Sequence, residues 1–238
     1  MTENEDQAAG IPEWGYWLDF SPAPDAIQHD FCGSHNILGA NCPNCSKPLL
    51  RILSLLTADP ALRPELSKTP VIHLLYCWTC SIPYGTFSYR IRRDGAVELL
   101  KLPPTNEYAF GPDGPYDEYT GVFPIKRVGL VALTKEEQRK QQKAQFDVDL
   151  ALDLFPQKHQ IGGFPVILNS QEVVCPVCSN AAPLFAAICD DASGNQPGDV
   201  QSSQSFTGNM NVQMVFHYCR GCSVVSAYHS VPKLGHIP

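Results

Sequence analysis

The feature that most constrains this chain is a set of four C-x-x-C pairs, which use eight of its ten cysteines. Random placement of ten cysteines among 238 residues would give less than one such pair. A tight turn with cysteine at both ends directs two thiolates at one point, and a second such turn completes the tetrahedron that Zn²⁺ prefers. The sequence therefore predicts two structural metal sites, with the ligands Cys42, Cys45, Cys77, Cys80, Cys175, Cys178, Cys219 and Cys222.

We expect two zinc ions per chain, although tetrahedral sulfur sites also take iron. Redox-active dithiols are the main rival, because C-P-x-C pairs occur in oxidoreductases at the start of a helix. Strand-like runs flank the pairs here, which disfavours redox catalysis. The first two pairs should share one ion and the last two the other; the alternative is a swapped arrangement in which the two leading pairs meet. Cys32 and Cys189 are left over and are expected to be buried as small hydrophobic residues.

The parts of the chain recur in the same order, which indicates an internal duplication. A motif H-[N/Q]-I-x-G at residues 35–39 and 159–163 precedes each leading C-P-x-C pair, and an apolar stretch and a second pair follow. Either His35 and His159 make a shared functional contact, or each hydrogen-bonds a glycine-containing turn. Serine follows all four pairs, at Ser46, Ser81, Ser179 and Ser223, where zinc knuckles commonly have glycine.

Runs rich in aromatic and β-branched residues enter and leave the second pair of each half, at residues 71–76, 86–91, 212–218 and 224–228. They predict neighbouring strands joined by the cysteine turns. The expected fold class is α+β and strand-rich, with two related halves, each an antiparallel sheet with an embedded four-cysteine zinc ribbon, joined by a loop and a helix. The predicted regions are an acidic N-terminal segment (1–31), the first half (32–101), a Pro/Gly/Tyr-rich linker (102–133), a helical connector (134–156) and the second half (157–238).

Two signals describe the connector. Thr134 and Glu137 form a T-x-x-E capping box, which predicts a helix over the polar run that follows. Residues 146–154 alternate apolar and acidic side chains, a pattern that fits a strand as well as a helix end.

Charge and composition bear on location and partners. The net charge is −7, and residues 1–120 carry 15 acidic against 8 basic side chains. That balance favours a basic protein partner and disfavours the nucleic-acid backbone, which is bound through Lys and Arg. The N-terminus lacks the features of a secretion signal, and no run reaches the length of about 18 apolar residues that a membrane span needs. We therefore expect a cytoplasmic protein without membrane contact, with reduced thiols.

At residues 159–165 the sequence HQIGGFP resembles the His-Gln-hydrophobic-Gly-Gly-aromatic-Pro signature of bacterial YwqG-like proteins. The run AAICDD at residues 186–191, followed by Gly198 and Asp199, is similar to their strand that ends in acidic residues. The first half, with C-P-x-C followed by KPLL at residues 47–50, resembles the zinc-ribbon part of the related programmed cell death protein 2-like proteins. The resemblance implies a non-catalytic protein that escorts a very basic ribosomal protein or neutralises a toxin as an immunity protein.

Three functions follow as hypotheses. The first is a zinc-binding protein that sequesters or escorts a basic protein partner, either a toxin or a ribosomal-protein-like client. A nucleic-acid-binding zinc ribbon is the second, for which the small cluster of Tyr89, Arg90, Arg92 and Arg93 is the candidate face. An enzyme with an unrecognised site is the third, although the sequence contains no nucleophile elbow, phosphate loop, HExxH or paired-carboxylate motif.

Overall fold

The computed structural model describes residues 14–42, 44–62, 66, 68–77, 80, 86–102, 124–154, 159–167, 169–189 and 213–230. These residues form eleven strands and two helices. The strands are β1 (Gly15–Asp19), β2 (His29–Phe31), β3 (Leu50–Leu56), β4 (Val71–Tyr76), β5 (Phe87–Ile91), β6 (Val97–Lys101), β7 (Lys126–Ala132), β8 (Gln160–Gly162), β9 (Leu184–Cys189), β10 (Gln213–Cys219) and β11 (Val224–Ser230). The helices are α1 (Lys135–Ala144) and α2 (Val148–Asp153).

The strands form a single antiparallel sheet in the order β4-β3-β2-β7-β1-β8-β9-β10-β11-β5-β6. The strand-rich class and the antiparallel pairing are as predicted, but the halves do not build separate sheets. Strand β1, from the predicted N-terminal segment, pairs with β8 of the predicted second half, and β7, from the predicted linker, pairs with β2 of the N-terminal segment. Strands β5 and β6 of the first half extend the sheet beyond β11. The two predicted halves therefore share one sheet, in which β5 of the first half pairs with β11 of the second.

Strands β1 and β7 meet near the middle of the sheet, where Tyr16 of β1 lies opposite Ala132 of β7 and Asp19 opposite Gly129. On either side of this pair the order is matched, with β2, β3 and β4 on one side and β8, β9 and β10 on the other. Strands β1 and β2 lie in the predicted acidic N-terminal segment, and β7 lies in the predicted linker.

The sheet curls so that its edge strand β4 faces β5 and β11. The hydroxyl of Tyr89 on β5 accepts the backbone N–H of Leu75 at 2.6 Å and donates to the carbonyl of His73 at 2.9 Å. Tyr76 on β4 bonds the imidazole of His229 on β11 across the interior, 3.2 Å from hydroxyl to Nδ1. Tyr89 thus satisfies two backbone groups of β4 at this seam, and Tyr76 links β4 to β11; both tyrosines belong to the main apolar core.

The outer face of β10 and β11 carries a second layer. Every residue of these strands is buried, because alternate side chains face the main core and a smaller apolar cluster. The segment that covers this face includes Val166 and Gln171, and polar side chains of β10 and β11 hydrogen-bond its backbone. Gln213 donates to the carbonyl of Val166 at 2.8 Å, and Tyr228 accepts from the N–H of Gln171 at 3.2 Å.

Helix α1 begins with the predicted capping box, since Thr134 and Glu137 bond each other's backbone N–H groups. It is attached through polar contacts, because the buried amides of Gln141 and Gln160 donate to each other at 2.7 and 3.1 Å. Residues 146–154 contain the helix α2 and no described strand. Their period-two pattern therefore does not mark a strand; Asp147 accepts the N–H of Leu150 and begins the helix.

Candidate metal centres

The first cysteine cluster joins a turn before β3 to the end of β4. An isolated bridge between Asn41 and Pro48 closes the leading turn. The sulfur of Cys42 lies 3.6 Å from that of Cys80, and the sulfur of Cys45 lies 3.6 Å from that of Cys77. The Asn44 amide donates to the sulfur of Cys80 at 3.2 Å.

The second cluster joins a turn before β9 to the turn between β10 and β11. A bridge between Val174 and Ala181 closes the leading turn, as in the first cluster. Cys219 ends β10, and its sulfur lies 3.7 Å from that of Cys178. Strands β10 and β11 are paired neighbours, as predicted for a ribbon. Strands β4 and β5 of the first half are not paired with each other.

The spacing of the sulfur atoms fits a tetrahedral metal site. In each cluster all four sulfurs lie within 4.8 Å of one another. Four sulfurs at about 2.3 Å from one zinc ion would be about 3.8 Å apart, whereas a disulfide needs about 2.05 Å. All ten cysteines are free thiols, and Cys32 and Cys189 are buried. The structure groups the first pair with the second and the third with the fourth.

The leading turns share a hydrogen-bond pattern. Ser46 donates its N–H to the carbonyl of Cys42 at 2.7 Å, and Ser179 donates to Cys175 at 2.9 Å. The chain reverses after the pair through a left-handed residue, with φ of 61° at Ser46, 59° at Ser179 and 55° at Ser223. Glycine adopts this conformation without steric cost, so serine stands here in a strained position.

Close contact among the thiols of the first cluster opposes full ionisation without a cation. Hydrogen bonds from Cys77 and Cys80 lower the pKa of Cys42 to about 2. The same contact with Cys42 raises the pKa of Cys77 and raises the pKa of Cys80 to about 12. One thiolate therefore forms readily and the next ones do not. A divalent ion would compensate the like charges, so the donor set fits a thiophilic metal.

The second cluster is more open. The backbone N–H of Asn180 lowers the pKa of Cys178 to about 7. Burial raises the pKa of Cys219 to about 12 and raises the pKa of Cys222. Cys178 is exposed and Cys222 half-buried, whereas three of the four thiols in the first cluster are buried.

The two predicted histidines have different roles. His35 accepts the N–H of Ile37 at 3.2 Å, and its Nε2 lies 2.6 Å from the carbonyl of Leu49. Of the two alternatives for His35, these contacts match the second, a hydrogen bond at a turn that contains glycine. His159 is buried and accepts the N–H of Cys189 at 3.2 Å, where β9 ends.

The structural counterpart of His159 is His29, not His35. His29 accepts the N–H of Leu56, where β3 ends, at 3.1 Å. The sequences HDFCG at residues 29–33 and HQIGG at residues 159–163 align, and positive φ falls at the same two places, Cys32 and Gly33 against Gly162 and Gly163. The signal H-x-[F/I]-x-G was available in the sequence, but cysteine at a left-handed position concealed it.

The residues of the candidate nucleic-acid face differ in their exposure and pairing. Tyr89 is fully buried and offers no face for base stacking. Arg90 pairs with Glu98 at 3.2 Å, and Arg92 with Asp94 at 2.7 Å.

The acidic excess of residues 1–120 falls outside the described part of the chain. The described residues of that range contain six acidic and seven basic side chains, a net charge of +1. Nine of the fifteen acidic residues, including Asp113, Asp117 and Glu118, lie outside the described residues.

Among the described residues, neither helix has the length and apolarity to cross a membrane. Comparison of the chain with family models, with curated proteins and with solved structures finds no match.

Proposed function

We propose that this chain is a non-catalytic zinc-binding protein that binds a basic protein partner. The observation that carries the proposal is the pair of cysteine clusters, each offering four sulfurs at tetrahedral spacing. Four thiolates fill the coordination sphere of zinc and leave no open position for a substrate, so both sites are structural. Iron would occupy the same donors.

The positions of the clusters support a structural role for the ions. Cys42, Cys77 and Cys80 belong to the main core, beside the seam between β4 and β5. Cys175 and Cys219 belong to the smaller cluster, where they connect the outer layer to β10. The first ion would hold the edge of the curled sheet, and the second would hold the covering layer on its outer face.

The junction of α1 and α2 supports the proposal of a protein partner. Phe146 is 89% exposed and Val148 is 73% exposed; with Leu38, at 74%, they are the most exposed of the large apolar residues described. Asp149 and Asp153 are exposed on the same short helix. Apolar anchors beside carboxylates suit a basic protein segment. A toxin or a ribosomal-protein-like client, as the resemblance to YwqG-like and programmed cell death protein 2-like proteins implies, would have that chemistry.

Native mass spectrometry tests the metal. Protein purified without chelators should carry two zinc or iron ions per chain, and Cys42→Ser and Cys175→Ser should each remove one. A metal-free chain, or disulfides among the eight cysteines, would refute this part of the proposal.

Co-purification followed by protein identification tests the partner. Wild-type protein should retain a basic protein that raised salt releases, because exposed charge pairs are screened. The variant Asp149→Lys/Asp153→Lys should lose it. The matched control Asp25→Lys/Glu172→Lys makes the same charge change at two other exposed sites and should retain it. Retention by both variants at raised salt would contradict the electrostatic part.

A further inference from the structure

The second cysteine cluster is open to solvent at one corner. Cys178 is exposed, as are all residues from 176 to 181. A side chain placed at Gly221, in the turn that carries Cys222, would meet nothing within 4 Å. In the first cluster Cys42 is 1%, Cys77 3% and Cys80 0% exposed. A small oxidant in solution can therefore reach a sulfur of the second cluster directly, but the first cluster presents only the half-buried Cys45.

The exposed thiol also has a resolving partner. The sulfur of Cys219 lies 3.7 Å from that of Cys178, within reach of a disulfide after a small movement of an exposed turn. A cysteine that binds a metal does so as the thiolate, and the thiolate is also the form that peroxides oxidise. Accessibility, thiolate character and a neighbouring thiol are the three properties of an oxidation-sensitive cysteine.

We propose that Cys178 is a modification site for peroxides, through which oxidation empties the second metal site. This inference rests on the proposed metal binding. It adds that peroxide controls whether the second site keeps its ion.

The reaction balances with hydrogen peroxide as the oxidant. The Cys178 thiolate attacks one peroxide oxygen, the O–O bond breaks, and a sulfenic acid and hydroxide form. The Cys219 thiolate then attacks the sulfenic sulfur, the S–S bond forms, and a second hydroxide leaves. Two protons convert the hydroxides to two waters, so two thiolates lose two electrons and one peroxide gains them. Cys175 and Cys222 remain as two ligands, too few to retain the ion.

Loss of the second ion would loosen the outer layer and leave the main core in place. The outer layer has its own small apolar cluster, which includes Val173 and Ala182 besides the cysteines. Regions with few buried contacts open locally before the whole protein unfolds. Oxidation would therefore expose the outer faces of β10 and β11 without unfolding the sheet.

The test uses the full-length protein with its metal, exposed to hydrogen peroxide in small molar excess. Native mass spectrometry before peroxide gives the starting metal content, and a time course with peptide mapping gives the order of loss and the disulfide formed. We expect one ion to leave about tenfold faster than the other, together with a Cys178–Cys219 disulfide that a thiol reductant reverses.

Two matched variants decide the site. Cys178→His keeps a metal ligand but removes the attacking sulfur, so both ions should then resist peroxide. Cys45→His makes the same change at the equivalent position of the first cluster and should leave the fast loss unchanged. Loss of both ions at equal rates, loss from the first cluster first, or no protection by Cys178→His would overturn this inference while leaving the metal sites intact. A chain without metal before peroxide would overturn the proposed function as well.

Discussion

The two cysteine clusters have the same kind of leading turn but differ in the residues packed around them. Both leading pairs are enclosed by a backbone bridge, Asn41 with Pro48 and Val174 with Ala181, and are followed by a left-handed serine. The first cluster then merges with the main core at the seam of the curled sheet, whereas the second belongs to a small surface layer. The same arrangement of four cysteines therefore lies in two different surroundings. Because the ligands are the same in both clusters, the difference in their contribution to stability should depend on the packing around them.

The largest expected difference between the clusters is the loss of stability when one cysteine ligand is replaced. Cys42→Ser should lower the free energy of unfolding by about 5 kcal/mol, because it loosens the seam, and Cys175→Ser by about 2 kcal/mol, because it frees only the outer layer. Urea unfolding followed by tryptophan fluorescence measures both. Cys189→Ala, at a buried cysteine outside the clusters, should retain both metals. Equal losses for the two serine variants would show that the packing around each cluster does not set the difference.

The next comparison concerns the equivalent histidines His29 and His159. His29→Ala leaves the Leu56 N–H and the carboxylate of Asp59, 3.0 Å from Nε2, without their buried partner, which should cost about 3 kcal/mol. His159→Ala removes the acceptor for Cys189 and the ring packed between Phe20 and Phe31 and should cost about 2 kcal/mol. Both variants should keep two metals. If thermal unfolding places either variant within error of the wild type, that histidine is not a structural anchor.

A smaller difference in stability is expected between variants at the seam of β4 and β5 and variants at the outer layer on β10 and β11. Tyr89→Phe removes the hydroxyl that bonds Leu75 and His73 and should cost about 2 kcal/mol, since the backbone N–H of Leu75 stays buried. Tyr228→Phe removes one bond to the half-buried N–H of Gln171 and should cost about 1 kcal/mol. Hydrogen exchange should show faster opening at β4 in the first variant and at residues 169–173 in the second. The reverse pattern would contradict the assignment of the two tyrosines.

The smallest effect is a gain in stability. Ser46→Gly and Ser179→Gly should each stabilise the protein by about 0.5 kcal/mol, because relief of left-handed strain exceeds the entropy cost of glycine. Ser→Ala at the same positions should give no gain, since alanine keeps the Cβ. If the glycine variants melt at or below the wild-type temperature, the serine hydroxyls contribute more than the strain costs.

Much of the site could be predicted from sequence, because its signals are local. The C-x-x-C spacing and the strand-like runs around Cys77 and Cys219 depend on neighbouring residues only. The pairing of β1 with β8 and of β7 with β2 could not be predicted, because the paired strands lie far apart in the chain and β2 and β8 have only three residues each. The alternation at residues 146–154 was ambiguous because a six-residue helix is too short to establish a period of 3.6.

The pairing of β5 with β11 has a consequence for biosynthesis. Phe87 lies opposite Ala227, 140 residues later in the chain. A ribosome adds about 5–20 residues per second, so β5 and β6 emerge several seconds before their partner strand is made. During that interval the apolar edge at Phe87, Tyr89 and Ile91 has no native neighbour, and such edges associate with other chains. Because distant pairings also form slowly, this hairpin stays without its native partner strand until β11 has been released and has docked.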